Sequence, residues 1–236
     1  MLKAALFDLD GTLLRVNTAE FTAEYLKEVA LAVTPAVNPD FFTRALLAST
    51  SVMIGNRDPG VTNQEVFWKD FRQRMGNRFD NALPFFEEFY ASRFQELSRV
   101  VRPGASSRPA VEAALGRGLR IVLATQPVFP AAAVQHRMAW AGVDELPWDF
   151  VTSYEEMHFC KPHLEYYLEI ASRLGVDPRE CLMIGNDVQE DLVAASVGMR
   201  SCLVTDCLIN TQNVDYNVEW SGPLSHLADW LAGADL

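Results

Sequence analysis

The sequence predicts an α/β fold in which a parallel β-sheet is covered by helices on both faces and is interrupted by an inserted all-helical bundle. After residue 104, short apolar runs alternate with segments of helical periodicity, which is the pattern of a sheet whose strands are joined by crossover helices. Residues 15–98 instead show helical spacing and many phenylalanines, without a strand-like run. One apolar strand precedes this helical region, so we expect the bundle to lie between the first strand and the rest of the sheet.

The predicted elements of the sheet region follow from apolar runs and from helix start and stop residues. Pro130 suits a first helical turn, and Gly175 and Gly198 suit helix ends. The predicted strands cover residues 3–9, 120–124, 150–152, 181–184 and 201–204, and the predicted helices cover residues 108–116, 130–141, 163–174, 188–197 and 223–231.

The inserted region is predicted to hold four helices. Asn17 followed three residues later by Glu20 is typical of a helix start. Aromatic residues recur on one side of each helix, and we expect these stripes to form the core of the bundle. The expected division is a catalytic core of residues 1–14 and 99–236 and a helical domain of residues 15–98.

Composition limits the classes of function. With 236 residues, of which 49% are hydrophobic, the chain can bury a sizeable core. Its net charge of −11 argues against sequence-independent binding of nucleic acid, which depends on neutralising phosphates. No signal peptide and no apolar run of about 18 residues is visible, so we expect a cytoplasmic protein without a membrane segment. The four cysteines form no CxxC pair, which favours free thiols.

The most informative segment is the end of the first strand, where Asp8 and Asp10 precede Gly11. Strand periodicity places both carboxylates on one side, where they repel each other unless a cation lies between them. Mg²⁺ is commonly held through one or two carboxylates, and Gly11 permits the turn that such a site requires. The alternative is an ordinary strand end with solvated acids.

Residues 8–13, Asp-Leu-Asp-Gly-Thr-Leu, resemble the first motif of the haloacid dehalogenase superfamily. Three further segments resemble the other motifs in the expected order: the strand ending at Thr125, the pair Lys161–Pro162, and the strand ending at Gly185 with the acids that follow it. The resemblance covers essentially the whole chain. It implies a Rossmann-like core and a helical cap inserted after the first motif.

The resemblance also implies roles for individual residues. Asp8 would be the nucleophile, and Asp10 would act first as general acid and then as general base. Thr125 and Lys161 would bind the phosphoryl oxygens. The cofactor would be Mg²⁺, with metal contacts from Asp8, from Asp10 through its backbone carbonyl, and from Asp187.

The fourth motif leaves two alignments open. In one, Asp187 and Asp191 form the acidic pair, and Asp187 is our first choice as metal ligand. In the other, Asn186 takes the place of the usual aspartate and Asp191 is the acid five residues on. Asp187 also suits a helix N-cap, a role compatible with metal binding. Gln126 stands where relatives often have Asn, so its contact with substrate is open.

The resulting hypothesis is a Mg²⁺-dependent hydrolase of phosphomonoesters that acts on a small phosphorylated metabolite through an aspartyl-phosphate. The expected partner is this substrate alone, without nucleic acid or membrane, and the expected state is monomer or dimer. The alternatives are a haloacid dehalogenase or a phosphomutase of the same fold, or a binding module without turnover. The cap is expected to select the substrate and to open and close over the site.

Overall fold

The computed structural model describes residues 1–102, 104 and 106–234. Its centre is a parallel sheet of six strands in the order β3-β2-β1-β4-β5-β6. The first strand lies in the middle, paired with strands that follow it by more than a hundred residues. The strands are β1 (Ala4–Phe7), β2 (Arg120–Leu123), β3 (Phe150–Val151), β4 (Cys181–Gly185), β5 (Arg200–Val204) and β6 (Trp220–Gly222).

The insertion after β1 is helical throughout. Its helices begin at polar caps: Asn17 and Asn38 each accept a backbone N–H of the first turn, and Thr62 forms a capping box with Glu65. The helices are α1 (Thr18–Val33), α2 (Pro39–Ile54), α3 (Asn63–Met75) and α4 (Phe79–Glu88), with a 3₁₀ turn at Gly76–Arg78 before α4.

The last predicted helix of the insertion is not one regular α-helix. Helix α4 continues into a π-helical turn (Phe89–Arg93) and then a 3₁₀ helix (Phe94–Val100). In the π turn, the backbone N–H of Phe94 donates to the carbonyl of Phe89. This hydrogen bond places residues five positions apart on the same side of the helix. Both phenylalanines are thereby fully buried, whereas a regular α-helix would turn them to different sides.

The remaining helices cover both faces of the sheet. Ala5 and Phe7 of β1 belong to one apolar cluster, and Ala4 and Leu6 belong to a second cluster on the opposite face. These helices are α5 (Ser107–Gly116), α6 (Ala131–Ala141), α7 (Leu164–Leu174) and α8 (Leu227–Gly233), with 3₁₀ helices at Pro178–Glu180, Leu192–Val197 and Leu224–His226. The predicted α/β class with an inserted helical cap is confirmed, whereas the two domain boundaries stay predictions.

Two predicted helices were wrong in detail, and one strand was not predicted. Residues 188–191 form a turn rather than the start of a helix, because the Asp187 carboxylate accepts the N–H groups of Gln189 and Glu190, and only Leu192–Val197 is helical, as a 3₁₀ helix. The last helix begins as a 3₁₀ turn and becomes α-helical at Leu227. Strand β6 was missed because its three residues form no apolar run.

The cap packs directly against the core and is hydrogen-bonded to it, in addition to being joined to it by two chain connections. Phe21 of α1 packs edge-on against Phe129, and Phe94 stacks on Trp140 of α6 with centroids 5.8 Å apart. The buried Asn63, at the start of α3, donates its backbone N–H to Met157 of the core at 2.8 Å. One apolar cluster therefore runs through both cap and core. Within the described residues, no helix is both long and apolar enough to span a membrane.

Candidate active site

The predicted site residues meet at the carboxyl edge of the sheet. Strands β2, β1 and β4 are neighbours, so the residues that follow them lie side by side. Asp8 follows β1, Thr125 lies just beyond β2, and Asn186 follows β4. Lys161 reaches the same place from the loop between β3 and α7, where its peptide bond to Pro162 is cis.

A buried lysine links two of the acids. Lys161 Nζ lies 2.8 Å from Asp8 Oδ1 and 2.6 Å from Asp191 Oδ1, and its side chain is only 1% exposed. Burial raises the pKa of Asp8 to about 7, although the ammonium of Lys161 opposes this shift. Burial lowers the pKa of Lys161, but the carboxylates of Asp191 and Asp8 outweigh it and hold the pKa well above its usual value. The lysine therefore stays charged, and the cluster gains an excess of negative charge when Asp8 loses its proton.

Thr12 joins the first and fourth motifs. Its Oγ1 lies 3.0 Å from Asp8 Oδ2 and 2.9 Å from Asn186 Oδ1. Gly11 allows this approach, because its φ is +91° and a Cβ there would lie 2.3 Å from the amide nitrogen of Asn186. The Asn186 amide nitrogen also donates to the carbonyl of Cys207 at 2.6 Å, which fixes its orientation.

The two fourth-motif acids occupy different positions. Asp191 accepts the backbone N–H groups of Asn186 and Asp187, each at 3.0 Å, and also binds Lys161. Asp187 caps its own turn through Oδ1. Burial raises the pKa of Asp187, and the two N–H groups oppose the shift. Among the described residues, no three His, Cys, Asp or Glu side chains are grouped so as to hold a metal ion, so the metal roles of Asp8, Asp10 and Asp187 stay predictions.

Gln126 supports the loop that carries Lys161. Its Oε1 accepts the backbone N–H of Lys161, and its Nε2 donates to the Lys161 carbonyl, both at 3.0 Å. Thr125 is buried, and its carbonyl is held by the hydroxyls of Thr152 and Tyr166, each at 2.9 Å. Gln126 therefore lies beside Lys161, and its two hydrogen bonds to the Lys161 backbone indicate that it supports this loop.

Two residues of the site were given no role from the sequence alone, namely Thr12, which lies within the first motif, and Arg137. Arg137 of α6 forms an ion pair with Asp10, and its side chain is 1% exposed. A sequence signal existed: Ala133, Val134 and Ala141 lie three or four residues away and are buried, so helical periodicity places Arg137 on the apolar face. An arginine on such a face requires a partner, but only the fold shows which one.

Among the described residues, two of the cavities near the site contain none of its predicted catalytic or metal-binding residues. A cleft of about 950 Å³ lies between the start of α1 and the loop after β5, and it is bordered by Arg15, Arg102 and Cys207. It adjoins the site through Cys207, which binds Asn186. An apolar cavity of about 620 Å³ lies among the four cap helices and is floored by residues 128–130 and 132. The cleft is therefore nearer to the candidate active site than the apolar cavity is.

Comparison with known proteins agrees with this arrangement. A family model described as haloacid dehalogenase-like hydrolase matches residues 2–198. The chain is 26% identical over 225 residues to the Bacillus subtilis protein named "Putative phosphatase YhcW", covering 93% of this chain and 92% of that protein. It is 25% identical over 123 residues to hexitol phosphatase B of Escherichia coli, covering 43% and 55% of the two chains.

Solved structures show the same fold. A phosphatase of this superfamily from Thermococcus onnurineus superposes with a TM-score of 0.57 at 21% identity, covering 100% of both chains. L-2-haloacid dehalogenase from Xanthobacter autotrophicus superposes with a TM-score of 0.56 at 16% identity, covering 99% of both chains. The match to the family and its named relatives confirm the prediction of a phosphatase of this type. The chain belongs to the haloacid dehalogenase-like hydrolase family.

Proposed function

We propose that the protein is a Mg²⁺-dependent hydrolase of phosphomonoesters that works through an aspartyl-phosphate on Asp8. The observation that carries this proposal is the fixed, buried carboxylate of Asp8. Lys161 holds one of its oxygens, and Thr12 holds the other. A carboxylate held at both oxygens is oriented for attack, and a neighbouring ammonium can bind the oxygens of an incoming phosphoryl group.

The proposed reaction has two steps. In the first, an oxygen of Asp8 forms a bond to phosphorus, the bond from phosphorus to the leaving oxygen breaks, and Asp10 gives that oxygen a proton. In the second, Asp10 takes a proton from water, the water oxygen attacks phosphorus, and the bond to Asp8 breaks. The enzyme returns to its starting state and inorganic phosphate leaves.

The donor set suits Mg²⁺. Oxygens of Asp8 and Asn186 both contact the Thr12 hydroxyl, and hard oxygen donors of this kind are what Mg²⁺ prefers. The cluster also holds two carboxylates against one lysine, so a cation would offset its charge. Asp8, the Asp10 carbonyl, and Asn186 or Asp187 would hold the ion. When bound, Mg²⁺ supplies charge neutralisation at the phosphoryl oxygens.

Between the two candidate fourth-motif ligands, we place Asn186 first. Its oxygen faces Asp8 through Thr12, whereas one oxygen of Asp187 is occupied by two N–H groups of its own turn. Measuring Mg²⁺ affinity by calorimetry for Asn186→Ala and Asp187→Asn tests this order. We expect the larger loss of affinity in Asn186→Ala; a larger loss in Asp187→Asn would restore the original choice.

The proposed substrate is a small phosphorylated metabolite that enters beside the cap. Helix α1 of the cap lines the cleft beside the site, and we propose that the cap selects the leaving group. We further propose a cytoplasmic monomer or dimer without nucleic-acid or membrane partners, in keeping with the acidic composition.

The test is phosphate release from a panel of phosphorylated metabolites, with Mg²⁺ and with EDTA. Release that requires Mg²⁺ supports the proposal, and the order of the panel ranks the substrate classes. Isomerised sugar phosphate without released phosphate would indicate a mutase. Chloride release from 2-haloacids that is insensitive to EDTA would indicate a dehalogenase, and binding without turnover would indicate a binding module.

A further inference from the structure

Arg137 is a buried arginine whose ion-pair partner is the proposed general acid–base, Asp10. Its Nη1 donates to Asp10 Oδ2, and its Nε donates to the carbonyl of Ala133 at 3.3 Å. Among the described residues, Asp10 is the one carboxylate that pairs with it. Because a buried guanidinium is costly unless it is paired, this contact strongly favours one position of the Asp10 side chain.

The arginine is itself held rigidly. Its guanidinium carbon lies 4.6 Å from the centroid of the Phe129 ring, a cation–π geometry. Phe129 is in turn packed by Phe21, Tyr25 and Phe94 from the cap side. Arg137 therefore sits on the boundary between cap and core, on a regular helix, and is well placed to fix another side chain.

Two buried polar atoms at this contact have no hydrogen-bond partner among the described residues, namely Asp10 Oδ1 and Arg137 Nη2. Arg137 occupies Oδ2, so Oδ1 is the oxygen left for another group. Buried unpaired polar atoms are uncommon and call for a ligand or a functional reason. The proposed reaction gives one, since the leaving oxygen and the attacking water each exchange a proton with Asp10.

We infer that Arg137 is a positioning residue that binds Oδ2 of Asp10 and so presents Oδ1 for proton transfer in both steps. This inference rests on the proposed function, because it assigns Arg137 to the proton transfers of that reaction. It differs from a purely structural role, in which the pair would only stabilise the packing of α6 against the first motif.

Substrates with different leaving groups can distinguish a positioning role of Arg137 from a purely structural one. Cleavage of p-nitrophenyl phosphate needs little help from a general acid, because its leaving group is a good one, whereas an alkyl phosphate needs a proton on the leaving oxygen. The ratio kcat/KM covers the first step alone, and kcat also includes the second step. Loss of positioning should therefore lower kcat/KM for the alkyl phosphate more than for p-nitrophenyl phosphate, and should lower kcat for both.

The experiment compares Arg137→Met, Arg137→Lys and Asp10→Asn on these two substrates. For Arg137→Met we expect kcat/KM to fall about 10- to 100-fold on the alkyl phosphate, within the range of general acid–base effects, and only a few-fold on p-nitrophenyl phosphate. Arg137→Lys should restore part of the loss. Adding Arg137→Met to Asp10→Asn should cause little further loss, because the two residues act as one unit.

The matched control is Arg173→Met. Arg173 also lies on a core helix, pairs with Glu169 at 3.0 Å, and stacks over Phe150 at 4.7 Å. Its hydrogen bonds, however, go to Glu156 and Glu169 rather than to Asp8, Asp10 or Lys161. Arg173→Met should leave kcat/KM unchanged for both the alkyl phosphate and p-nitrophenyl phosphate. Equal losses on both substrates in Arg137→Met, or losses that add to those of Asp10→Asn, would overturn the inference.

A second measurement does not depend on turnover. Crystal structures of the wild-type protein and of Arg137→Lys and Arg137→Met should show the Asp10 carboxylate kept in place by lysine and displaced in the methionine variant. If Asp10 keeps its position in Arg137→Met, the inference fails whatever the activity. If the wild type releases no phosphate from any substrate, the proposed function fails, while the structures still decide whether Arg137 positions Asp10.

Discussion

At the scale of single residues, the proposed chemistry depends on one lysine between two buried carboxylates. Asp8 and Asp191 both contact Lys161, and all three side chains are nearly inaccessible to water. Removing one member of such a cluster leaves buried charge without compensation, which costs more than an intact pair contributes. The cluster is therefore both the centre of the proposed chemistry and a point of vulnerability in the fold.

Lys161→Met should abolish phosphate release and lower the free energy of unfolding by about 3–5 kcal/mol, since Asp8 and Asp191 would face each other unpaired. Urea denaturation of the metal-free protein measures the second effect. Lys27→Met is the control, because Lys27 pairs with Glu24 on the exposed surface of α1, where we expect no resolvable change. A Lys161→Met variant as stable as the wild type would contradict the described charge network.

Mg²⁺ affinity should depend on pH through Asp8. Its raised pKa of about 7 means that metal-free Asp8 is largely protonated below pH 7, and the proton must leave before the oxygen can bind metal. Affinity should therefore rise with pH and level off above 7, with about a tenfold loss for each pH unit below the pKa. Calorimetry between pH 5.5 and 8.5, in buffers of different ionisation enthalpy, would show the released proton. A dissociation constant that does not vary over this range would contradict the prediction.

Sequence motifs predicted most of the residues brought together here, but not all of their contacts. Asp8 and Lys161 lie 153 positions apart, and the motif order anticipated their meeting. Arg137 was missed because its partner lies 127 positions away and belongs to no shared motif. The choice between Asn186 and Asp187 also could not be made from the sequence, because it depends on how the backbone turns after β4.

At the scale of elements, the end of β4 requires a residue without a side chain. A Cβ on Gly185 would lie 2.1 Å from Asp191 Oδ2 and 2.2 Å from its Cγ. The strand can therefore end beside Asp191 only if this position is glycine. That close approach allows Asp191 to accept two backbone N–H groups and to hold Lys161 at the same time.

Gly185→Ala should displace Asp191 and reduce phosphate release at least tenfold, with a loss of about 2 kcal/mol or more in unfolding free energy, the scale of a disrupted buried network. Gly116→Ala at the end of α5 is the matched control, because no atom beyond its chain neighbours and its own helix backbone lies within 4 Å of the added Cβ. The control should be neutral or more stable by up to about 1 kcal/mol. Full activity in Gly185→Ala would show that phosphate release does not require Asp191 at its present position.

Helices and strands with strong periodicity were predicted well, and short or irregular ones were not. The apolar run of β1 and the capped helices α1 and α3 follow from local sequence. The turn after Asp187 and the π turn at Phe89 depend instead on side-chain caps and on burial in the assembled cap. Strand β6 is stabilised by pairing with β5 rather than by its own three residues.

At the scale of the whole molecule, cap and core form one structural unit. They share an apolar cluster, and α3 is tied to core loops at Met157 and Tyr154 through the backbone N–H groups of Asn63 and Gln64. Large opening of the cap would have to break these contacts. We therefore expect the substrate to reach the site through the cleft beside α1 rather than after a large opening of the cap.

Unfolding should accordingly be a single cooperative transition. Trp68 reports on the cap, and the far-ultraviolet circular dichroism reports on all helices. The fluorescence difference between wild type and Trp68→Phe isolates the cap signal, and its urea midpoint should coincide with that of circular dichroism. A cap midpoint at clearly lower urea would show that the cap unfolds separately.

The proposed mechanism requires Asp8 to carry the phosphoryl group during turnover. The most direct measurement is Mg²⁺-dependent phosphate release from p-nitrophenyl phosphate by the wild type and by Asp8→Asn, with borohydride reduction of the wild type during turnover. We expect release by the wild type, none above background by Asp8→Asn in a folded protein, and conversion of Asp8 to homoserine in the reduced sample. Undiminished release by Asp8→Asn, or reduction at another residue, would contradict this mechanism.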